Sequence, residues 1–313
     1  MKINLISIVI PVFNAGETIE PLVNNIIDEL SEEYSLEIIL VNDFSDDDSE
    51  EKCINLFHKN PKFIKFYSLA KNVGEHNAVM AGLNNTEGDY VVIMDDDFQN
   101  PVTEVAKLIN YAKGSDLDVV YTFYSKKHHS FLRNLGSKFN DFVATIMLRK
   151  PKNLYLSSFK ILNKFITQEI IKYDLPFSYL DGLILRTTQN IGAIQVEHHP
   201  RTHGKSGYTF KKLVSLWLNM FTNFSILPLR IAIFTGFIFA IIGLVLGIQT
   251  VYEKFVNPDL PTGYAAMITI FSIFSGIQLM AIGMVGEYLG RTFLSLNKKP
   301  QFTIRSELTN KKV

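Results

Sequence analysis

The first 210 residues alternate short apolar runs with amphipathic or polar stretches, a pattern that predicts strands separated by helices. The runs that are rich in β-branched residues predict strands at Ile6–Pro11, Glu37–Val41, Phe63–Ser68, Tyr90–Met94 and Asp118–Tyr121. The segments between them predict helices at Thr18–Leu30, Asp47–His58, His76–Asn84 and Thr103–Lys113. Continuous apolar strands that alternate with helices indicate an α/β fold with a mostly parallel sheet, covered on both faces.

The rest of the chain is markedly apolar. No charged side chain occurs from Ile231 to Tyr252, and none occurs from Leu260 to Gly286. Each stretch reaches the roughly 20 residues that a helix needs to cross the hydrocarbon core of a bilayer. Two such stretches in series predict a transmembrane hairpin with spans at about 231–252 and 264–286, and two long buried core helices are the alternative.

Basic residues flank both outer ends of this hairpin. They are Lys211, Lys212 and Arg230 before it, and Arg291, Lys298, Lys299 and Arg305 after it. The connecting segment from Glu253 to Gly263 holds one Lys, one Glu and one Asp. Because Lys and Arg concentrate in cytoplasmic loops, we expect both flanks and the N-terminal unit to be cytoplasmic.

The segment between the α/β region and the first span predicts an interfacial helix at 210–228. Two lysines lead into apolar positions at helical spacing, with Trp217 placed to lie at the level of the lipid headgroups. A helix packed on the soluble domain is the alternative. The predicted organisation is therefore a cytoplasmic domain at 1–209, the interfacial helix, a transmembrane hairpin at 229–290 and a cytoplasmic tail at 291–313.

Polar clusters follow the predicted strands, where open α/β sheets bind their ligands. Asn42 and Asp43 end the second strand, ahead of the acidic run Asp46–Ser49. Helix capping and the helix dipole account for the acidic run. They do not account for Asp43, whose carboxylate can accept hydrogen bonds from the edge of a base.

The triplet Asp95, Asp96 and Asp97 follows the fourth strand directly. Alternate residues of an extended chain share a face, so Asp95 and Asp97 can converge. Their carboxylates repel each other unless a cation is present, and hard oxygen ligands together with substrate phosphates suit Mg²⁺ or Mn²⁺. A solvated turn ahead of Pro101 is the alternative.

A third cluster, Lys71–His76, follows the third strand and contains Gly74. A glycine at a helix N-terminus can approach a phosphate or a sugar closely. A plain turn between strand and helix explains the same residues equally well.

Composition excludes several classes of protein. Hydrophobic residues make up 47% of the 313 residues and charged residues 20%, which excludes a disordered chain. The chain has 31 Lys and Arg and 31 Asp and Glu, so its net charge does not indicate a nucleic-acid-binding protein. The single cysteine, Cys53, excludes a disulfide framework and a cysteine-based zinc site.

The motifs together resemble the family 2 glycosyltransferases of the GT-A (Rossmann-like) fold. The runs are IVIPVFN, VNDFSDDDS, KNVGEHNAVMAG and MDDDFQNP. The C-terminal part, with TFKKLVSLWLNMFTNFSILPLR, two spans and MVGEYLGR, resembles the polyprenyl-phosphate branch. That branch includes dolichyl-phosphate mannose synthases, bactoprenyl glucosyltransferases and undecaprenyl-phosphate aminoarabinose transferases, and this chain is most similar in layout to the last.

The resemblance implies roles for particular residues. It implies nucleotide contacts at Pro11, Phe13 and Asp43, and a metal–diphosphate site at Asp95 and Asp97 with Asp96 and Gln99 beside them. It also implies phosphate contacts at the basic residues Arg133, Lys138, Arg201 and Lys205. The chain departs from residues found in many relatives at Ala15, Asn42, Phe44, Phe123 and Leu154.

The resemblance implies a metal-dependent enzyme that moves a sugar from a nucleotide-sugar, with UDP favoured, to a polyprenyl phosphate at the bacterial inner membrane. It also implies a homo-oligomer, possibly a tetramer.

Among the remaining acids, Asp181 is the best candidate for a catalytic role. The alternative interpretation of Asp181 is an acid that only stabilises the N-terminus of a helix. Two other functions stay open: a non-catalytic nucleotide-binding partner of a flippase, and a glycosyltransferase with another lipid acceptor.

Overall fold

The computed structural model describes residues 5–124, 145, 150–151, 154–176, 178–197, 199, 227–257, 263–297 and 300–310. The chain divides into two compact units. The first comprises Met1–Ser215 with Lys298–Val313, and the second is Leu216–Asn297. The C-terminal residues therefore belong to the same unit as the N-terminal domain, although an apolar unit separates them in sequence.

The first unit is built on an eight-stranded sheet. Its strands are β1 (Leu5–Val12), β2 (Ser35–Asn42), β3 (Ile64–Leu69), β4 (Tyr90–Ile93), β5 (Val119–Tyr124), β6 (Lys160–Asn163), β7 (Ile191–Val196) and β8 (Ile304–Leu308). They lie in the order β7-β5-β6-β4-β1-β2-β3-β8. The pairs β1–β2, β1–β4, β2–β3 and β5–β7 are parallel, and β6 and β8 pair antiparallel with their neighbours. The predicted mostly parallel sheet is confirmed, and all five predicted strands are present.

Helices connect these strands, and the sequence pattern predicted the first four of them but not the last two. They are α1 (Ile19–Leu30), α2 (Ser49–Lys59), α3 (Glu75–Leu83), α4 (Val102–Gly114), α5 (Lys164–Ile170) and α6 (Leu180–Thr187). The buried residues of α1 recur at the three- and four-residue spacing of one helical face: Ile19, Leu22, Val23, Ile26 and Leu30. The first four helices confirm the predicted ones to within two residues at either end.

Side chains of β1, in the middle of the sheet, point alternately to its two faces, and helices cover both. Ile6, Ile8 and Ile10 of β1 are fully buried in the main core cluster. On the opposite face, α3 lies so close to the sheet that a Cβ on Gly82 would be 2.4 Å from Val9 Cγ1. A side chain at position 82 would push α3 off the sheet. The close approach holds the C-terminal half of α3 against the sheet, and the third polar cluster contains the first residues of this helix.

The strand β8 comes from the segment that the sequence predicts as a C-terminal tail. It pairs antiparallel with β3, with Phe66 opposite Leu308. The segment before it is anchored by Gln301, which is 8% exposed and whose Nε2 donates to the carbonyl oxygens of Tyr173 (3.4 Å) and Leu175 (3.1 Å). This segment therefore completes one border of the sheet.

The second unit contains two long helices, α7 (Leu227–Val256) and α8 (Tyr264–Leu296). Both are long and apolar enough to cross a membrane, over Ala232–Gln249 with a mean hydropathy of 2.3 and over Ile273–Leu294 with 1.3. Neither stretch is buried inside the protein. Large apolar side chains such as Phe234 and Leu279 are 67% and 69% exposed. The alternative of two buried core helices is therefore wrong for the described residues, and these surfaces are those of a membrane protein.

The predicted interfacial helix lies almost entirely outside the described residues. Only Leu227 and Pro228 are described, and they form the first turn of α7. Proline is well tolerated in a first helical turn because its missing N–H has no intrahelical partner there.

Candidate active site

The carboxyl ends of β1, β2, β3 and β4 meet along one border of the sheet, which we call the carboxyl edge. It comprises the loops 13–18, 43–48, 70–74 and 94–101. Among the described residues, every non-glycine residue with a positive φ lies here: Asn14 (54°), Phe44 (60°) and Phe98 (58°). Such conformations cost free energy and cluster at functional sites. The backbone at this edge is thus held in an unusual shape.

The loop after β1 is joined to the loop after β2 by hydrogen bonds. Asn14 N donates to Ser45 Oγ at 3.1 Å, and Asp46 N donates to Asn14 Oδ1 at 2.9 Å. Gly16 N donates to Asp47 Oδ2 at 3.0 Å, and a Cβ at Gly16 would lie 1.9 Å from Asp48 Oδ1. The acidic run 46–49 therefore serves the loop and the start of α2. The expectation that Ser45 or Asp46 caps this helix is wrong, because α2 begins after Asp48, which makes no side-chain cap hydrogen bond, and Asp47 Oδ1 accepts from Ser49 N.

Asp43 has a different environment from that acidic run. It is 3% exposed, and its carboxylate accepts hydrogen bonds from Val73 N at 2.7 Å and Gly74 N at 2.9 Å. Burial raises the pKa of Asp43 to about 6, while these two N–H donors act to lower it. Asp43 therefore fixes the loop that contains the third polar cluster. Its predicted contact with a base would use the remaining lone pairs of the same two oxygens.

The three acids after β4 have three different partners. Asp96 Oδ2 accepts from Phe13 N at 3.1 Å, so this side chain ties the triplet to the end of β1. Asp95 Oδ2 accepts from Ser158 Oγ at 2.5 Å. Asp97 is 6% exposed, and its Oδ1 accepts from Gln99 N at 3.1 Å. The triplet is therefore an ordered turn, in which Asp97 is buried and Asp95 and Asp96 are half-buried, rather than a solvated one.

Burial and crowding of negative charge raise the pKa of Asp95 to about 7. The largest cause is desolvation, followed by the negative charge of Glu75; the charge of Asp97 contributes as well. Burial raises the pKa of Asp96 to about 7 too, with the charges of Asp95 and Asp97 adding to it. A bound cation would relieve this crowding, so the charges fit the predicted metal site.

The part of the chain that the structure describes holds no group of three or more His, Cys, Asp or Glu side chains that would enclose a metal ion. A site of Asp95 and Asp97 would supply two carboxylates and leave the other positions to water and substrate phosphates. Mg²⁺ is commonly bound in this way, through one or two carboxylates plus phosphate oxygens. The residues present therefore fit a cation that arrives with its nucleotide.

A buried ion pair lies beside the triplet. Lys160, at the start of β6, pairs with Ile93 of β4, two residues before Asp95. Its ammonium group contacts the carboxylate of Asp181 on α6, which also accepts from Tyr121 Oη at 2.8 Å. The positive charge of Lys160 acts to lower the pKa of Asp95. The carboxylate of Asp181 thus binds both Lys160 and Tyr121. By holding the Lys160 ammonium group, it helps to place a positive charge near the acidic triplet.

The start of α6 also contacts the start of α3. Ser178 Oγ hydrogen-bonds to Asn77 Oδ1, and the ring of His76 meets that of Tyr179 edge to face at 5.1 Å. Burial lowers the pKa of His76 to about 4, so this ring is neutral near pH 7. Contacts thus extend from the loop held by Asp43 to the ion pair beside Asp95.

The remaining predicted residues fall into two groups. Pro11 and Phe13 lie at the end of β1, where Phe13 is 44% exposed, and Gln99 lies in the acidic loop. His199 N donates to Gln99 O at 2.8 Å, which brings the chain just before Arg201 next to that loop. The four basic residues that the resemblance implies lie outside the described residues: Arg133, Lys138, Arg201 and Lys205.

The sequence analysis missed Ser158 and Lys160, which contact or neighbour the acids. Both occur in the run SSFKILN, where Lys160 begins an otherwise apolar strand. The available signal was the lysine itself at the start of an apolar run, because a lysine buried there, here to 2% exposure, needs a partner of opposite charge. Nothing in the local pattern identified Asp181, 21 residues later, as that partner.

Comparison with known proteins identifies the family. Residues 7–177 match the family described as glycosyl transferase family 2. The chain belongs to this family. It is 28% identical over 316 aligned positions to the undecaprenyl-phosphate 4-deoxy-4-formamido-L-arabinose transferase of Proteus mirabilis (strain HI4320), which covers 99% of this chain and 96% of the relative. The enzyme of that name from Yersinia enterocolitica is 29% identical, over 97% of this chain and 94% of the relative.

Solved structures agree on the fold. A mycobacterial protein superposes with a TM-score of 0.51 at 16% identity, covering 71% of this chain and 75% of that one. Glucosyl-3-phosphoglycerate synthase from Mycobacterium tuberculosis, solved with phosphoglyceric acid, superposes with a TM-score of 0.50 at 17% identity, covering 69% and 80%. The predicted family, the GT-A fold and the classification as a glycosyltransferase are confirmed.

Proposed function

We propose that the protein transfers a sugar from a nucleotide-sugar, with UDP as the favoured nucleotide, to undecaprenyl phosphate or a similar polyprenyl phosphate. The reaction would take place on the cytoplasmic face of the bacterial inner membrane and would serve modification of cell-envelope glycans or lipids. The observation that carries the proposal is the near full-length match to enzymes named for undecaprenyl phosphate. That match includes the two apolar helices as well as the sheet domain.

The proposed reaction is a direct displacement at the anomeric carbon of the donor sugar. An oxygen of the acceptor phosphate forms the new bond to that carbon, and the bond from the carbon to the donor diphosphate breaks. The nucleoside diphosphate leaves with the bonding electrons. Because a phosphate monoester is ionised near pH 7, the acceptor needs no dedicated general base.

Asp95 and Asp97 would hold Mg²⁺ or Mn²⁺, which supplies stabilisation of the negative charge that develops on the leaving diphosphate. Pro11, Phe13 and Asp43 would bind the nucleoside half of the donor, with Asp96 and Gln99 beside the diphosphate. Arg133, Lys138, Arg201 and Lys205 would bind phosphate oxygens through charge-assisted hydrogen bonds. The contacts of Asp181 support a positioning role through Lys160 rather than direct contact with the sugar.

The proposal is tested by incubating the purified full chain with undecaprenyl phosphate and a panel of sugar nucleotides. Mass spectrometry of the lipid would show one added sugar for one donor, and only with a divalent cation. Parallel reactions with diacylglycerol and with a lipid-linked sugar test the other acceptors. Transfer to either of those instead of the lipid phosphate would contradict the proposed acceptor, and donor binding without any transfer would contradict the reaction.

The proposed topology predicts a labelling pattern. Asn257→Cys, in the exposed segment after α7, should react with an impermeant thiol reagent added to intact spheroplasts. The background is low because Cys53 is buried and burial raises the pKa of its thiol. Ser306→Cys, exposed on β8, is the matched cytoplasmic control and should react only after lysis. Reaction of Asn257→Cys only after lysis would invert the proposed orientation.

Arg201 is expected to bind the acceptor phosphate. It follows His199, whose backbone contacts the acidic loop, and it precedes the proposed interfacial helix. Arg201→Ala should raise the KM for lipid phosphate roughly 10- to 150-fold, equivalent to about 1.5–3 kcal/mol. The KM for sugar nucleotide should change little, and Lys59→Ala, an exposed cation at the end of α2, should change neither. A selective rise in the nucleotide KM would instead assign Arg201 to the donor diphosphate.

A further inference from the structure

Arg305 lies at a β-bulge in the C-terminal strand. Along β3 and β8, Ser68 is opposite Ser306, but the next residue of β3, Leu69, is opposite Ile304. Arg305 is therefore the extra residue of the bulged strand and has no counterpart on β3. Bulges redirect a side chain and increase local twist, and they occur often beside active sites.

The redirected side chain reaches the carboxyl edge. The Arg305 guanidinium lies over the ring of Phe44, with its central carbon 5.5 Å from the ring centroid. Its Nη2 also donates to Ala70 O at 3.4 Å. Ala70 N in turn donates to Thr303 O at 2.9 Å, which fixes the start of β8 against the loop after β3.

Phe44 directly follows Asp43 and has an unusual conformation for an aromatic residue. Its φ of 60° lies in the left-handed region, which bulky side chains rarely adopt. Phe44 is nevertheless 41% exposed, so burial of its ring does not offset the free-energy cost of this backbone conformation. The conformation instead presents an aromatic ring, with a guanidinium over it, at the residue that directly follows Asp43. Flat apolar faces beside a hydrogen-bond acceptor suit a planar heterocycle.

We infer that Phe44 and Arg305 form a stacking surface for the base of the donor nucleotide, so the C-terminal strand contributes a donor-binding residue. The inference rests on the proposed function, because it assumes a nucleotide-sugar donor. The stack binds the face of the base, whereas Asp43 is placed to meet its edge. Arginine carries a positive charge and also stacks on planar π systems. A basic residue that only flanked a membrane span would need the charge but not the stacking contact with Phe44.

The test compares two ligands that share a diphosphate but differ in the base. Binding of UDP and of inorganic pyrophosphate is measured by calorimetry on the detergent-solubilised full chain with Mn²⁺. Arg305→Ala and Phe44→Ala should each weaken UDP binding roughly 10-fold, the loss expected for one stacking contact. Pyrophosphate binding should be unchanged. Glu307→Ala, an exposed residue two positions along the same strand, is the matched control and should bind both ligands normally.

Two results would overturn the inference. Normal UDP binding by Arg305→Ala would show that this side chain does not contact the nucleotide. An equal loss for UDP and pyrophosphate would place its effect on the diphosphate or on the fold, and thermal unfolding of the variant would reveal the latter. These results are distinct from failure of the proposed function, in which the wild-type protein itself would transfer no sugar from any nucleotide.

Discussion

Asp97→Asn is expected to reduce sugar transfer by roughly 1,000-fold or more, equivalent to about 4 kcal/mol of transition-state stabilisation. The substitution keeps the size of a side chain that is 6% exposed, and its amide oxygen can still accept from Gln99 N. It removes one of the two negative charges that we propose to hold the cation. Initial rates with a saturating donor, with and without added Mn²⁺, measure the effect.

Asp46→Asn is the matched control for this experiment. Asp46 is an exposed acid at the same carboxyl edge, and it contacts Asn14 through its backbone N–H rather than through its carboxylate. This variant should transfer sugar at the wild-type rate. Treatment of the wild type with EDTA should abolish transfer, and added Mg²⁺ or Mn²⁺ should restore it. Full activity of Asp97→Asn, or insensitivity to EDTA, would refute the metal site.

Asp181→Ala is expected to destabilise the sheet domain by about 3–5 kcal/mol. The reason is that it leaves the ammonium group of Lys160, whose side chain is 3% exposed, without its carboxylate partner. Tyr121 also loses the acceptor of its buried hydroxyl. Urea denaturation of the detergent-solubilised full chain, followed by circular dichroism, measures the change. The ion pair of Glu169 with Lys172, whose side chains are 35% and 68% exposed, is the control, because Glu169→Ala should cost less than about 1 kcal/mol.

The double variant Lys160→Met with Asp181→Leu separates stability from catalysis. Replacing both charges with apolar side chains removes the unpaired ion, so most of the lost stability should return. If the pair only supports the fold, activity returns together with stability. A stable but poorly active double variant would show that the charge of Lys160 tunes the site at Asp95. Wild-type stability in Asp181→Ala would contradict the buried ion pair itself.

The sequence predicted most of the sheet domain because its information is local. The apolar runs around Ile8, Ile39 and Val92 are buried from both sides, and such runs indicate interior strands whatever their partners are. The amphipathic spacing of α1 is visible without knowledge of what it packs on. Acids that directly follow a strand must lie at its carboxyl end, so Asp43 and Asp95 were found from position alone.

The strands β6 and β7 were not predicted. The first has only four residues, and it lies antiparallel between β4 and β5. The second, IGAIQV, contains Gly192 and Gln195 and has only one buried residue, Val196, so its apolar pattern is weak. Which strands pair is decided by contacts between distant segments, and short runs carry little periodicity from which to infer them.

The amino-acid sequence by itself determined the family, the order of its main elements, the two long apolar segments and the identity of the acids at the carboxyl edge. Periodicity, strand ends and apolar length are properties of neighbouring residues, so they can be interpreted without the fold. The tertiary structure alone decided that Lys160 meets Asp181, and that residues after the second apolar helix return as β8 with Arg305 over Phe44. Those contacts join residues up to 261 positions apart, and only the packing of the complete sheet brings such residues together.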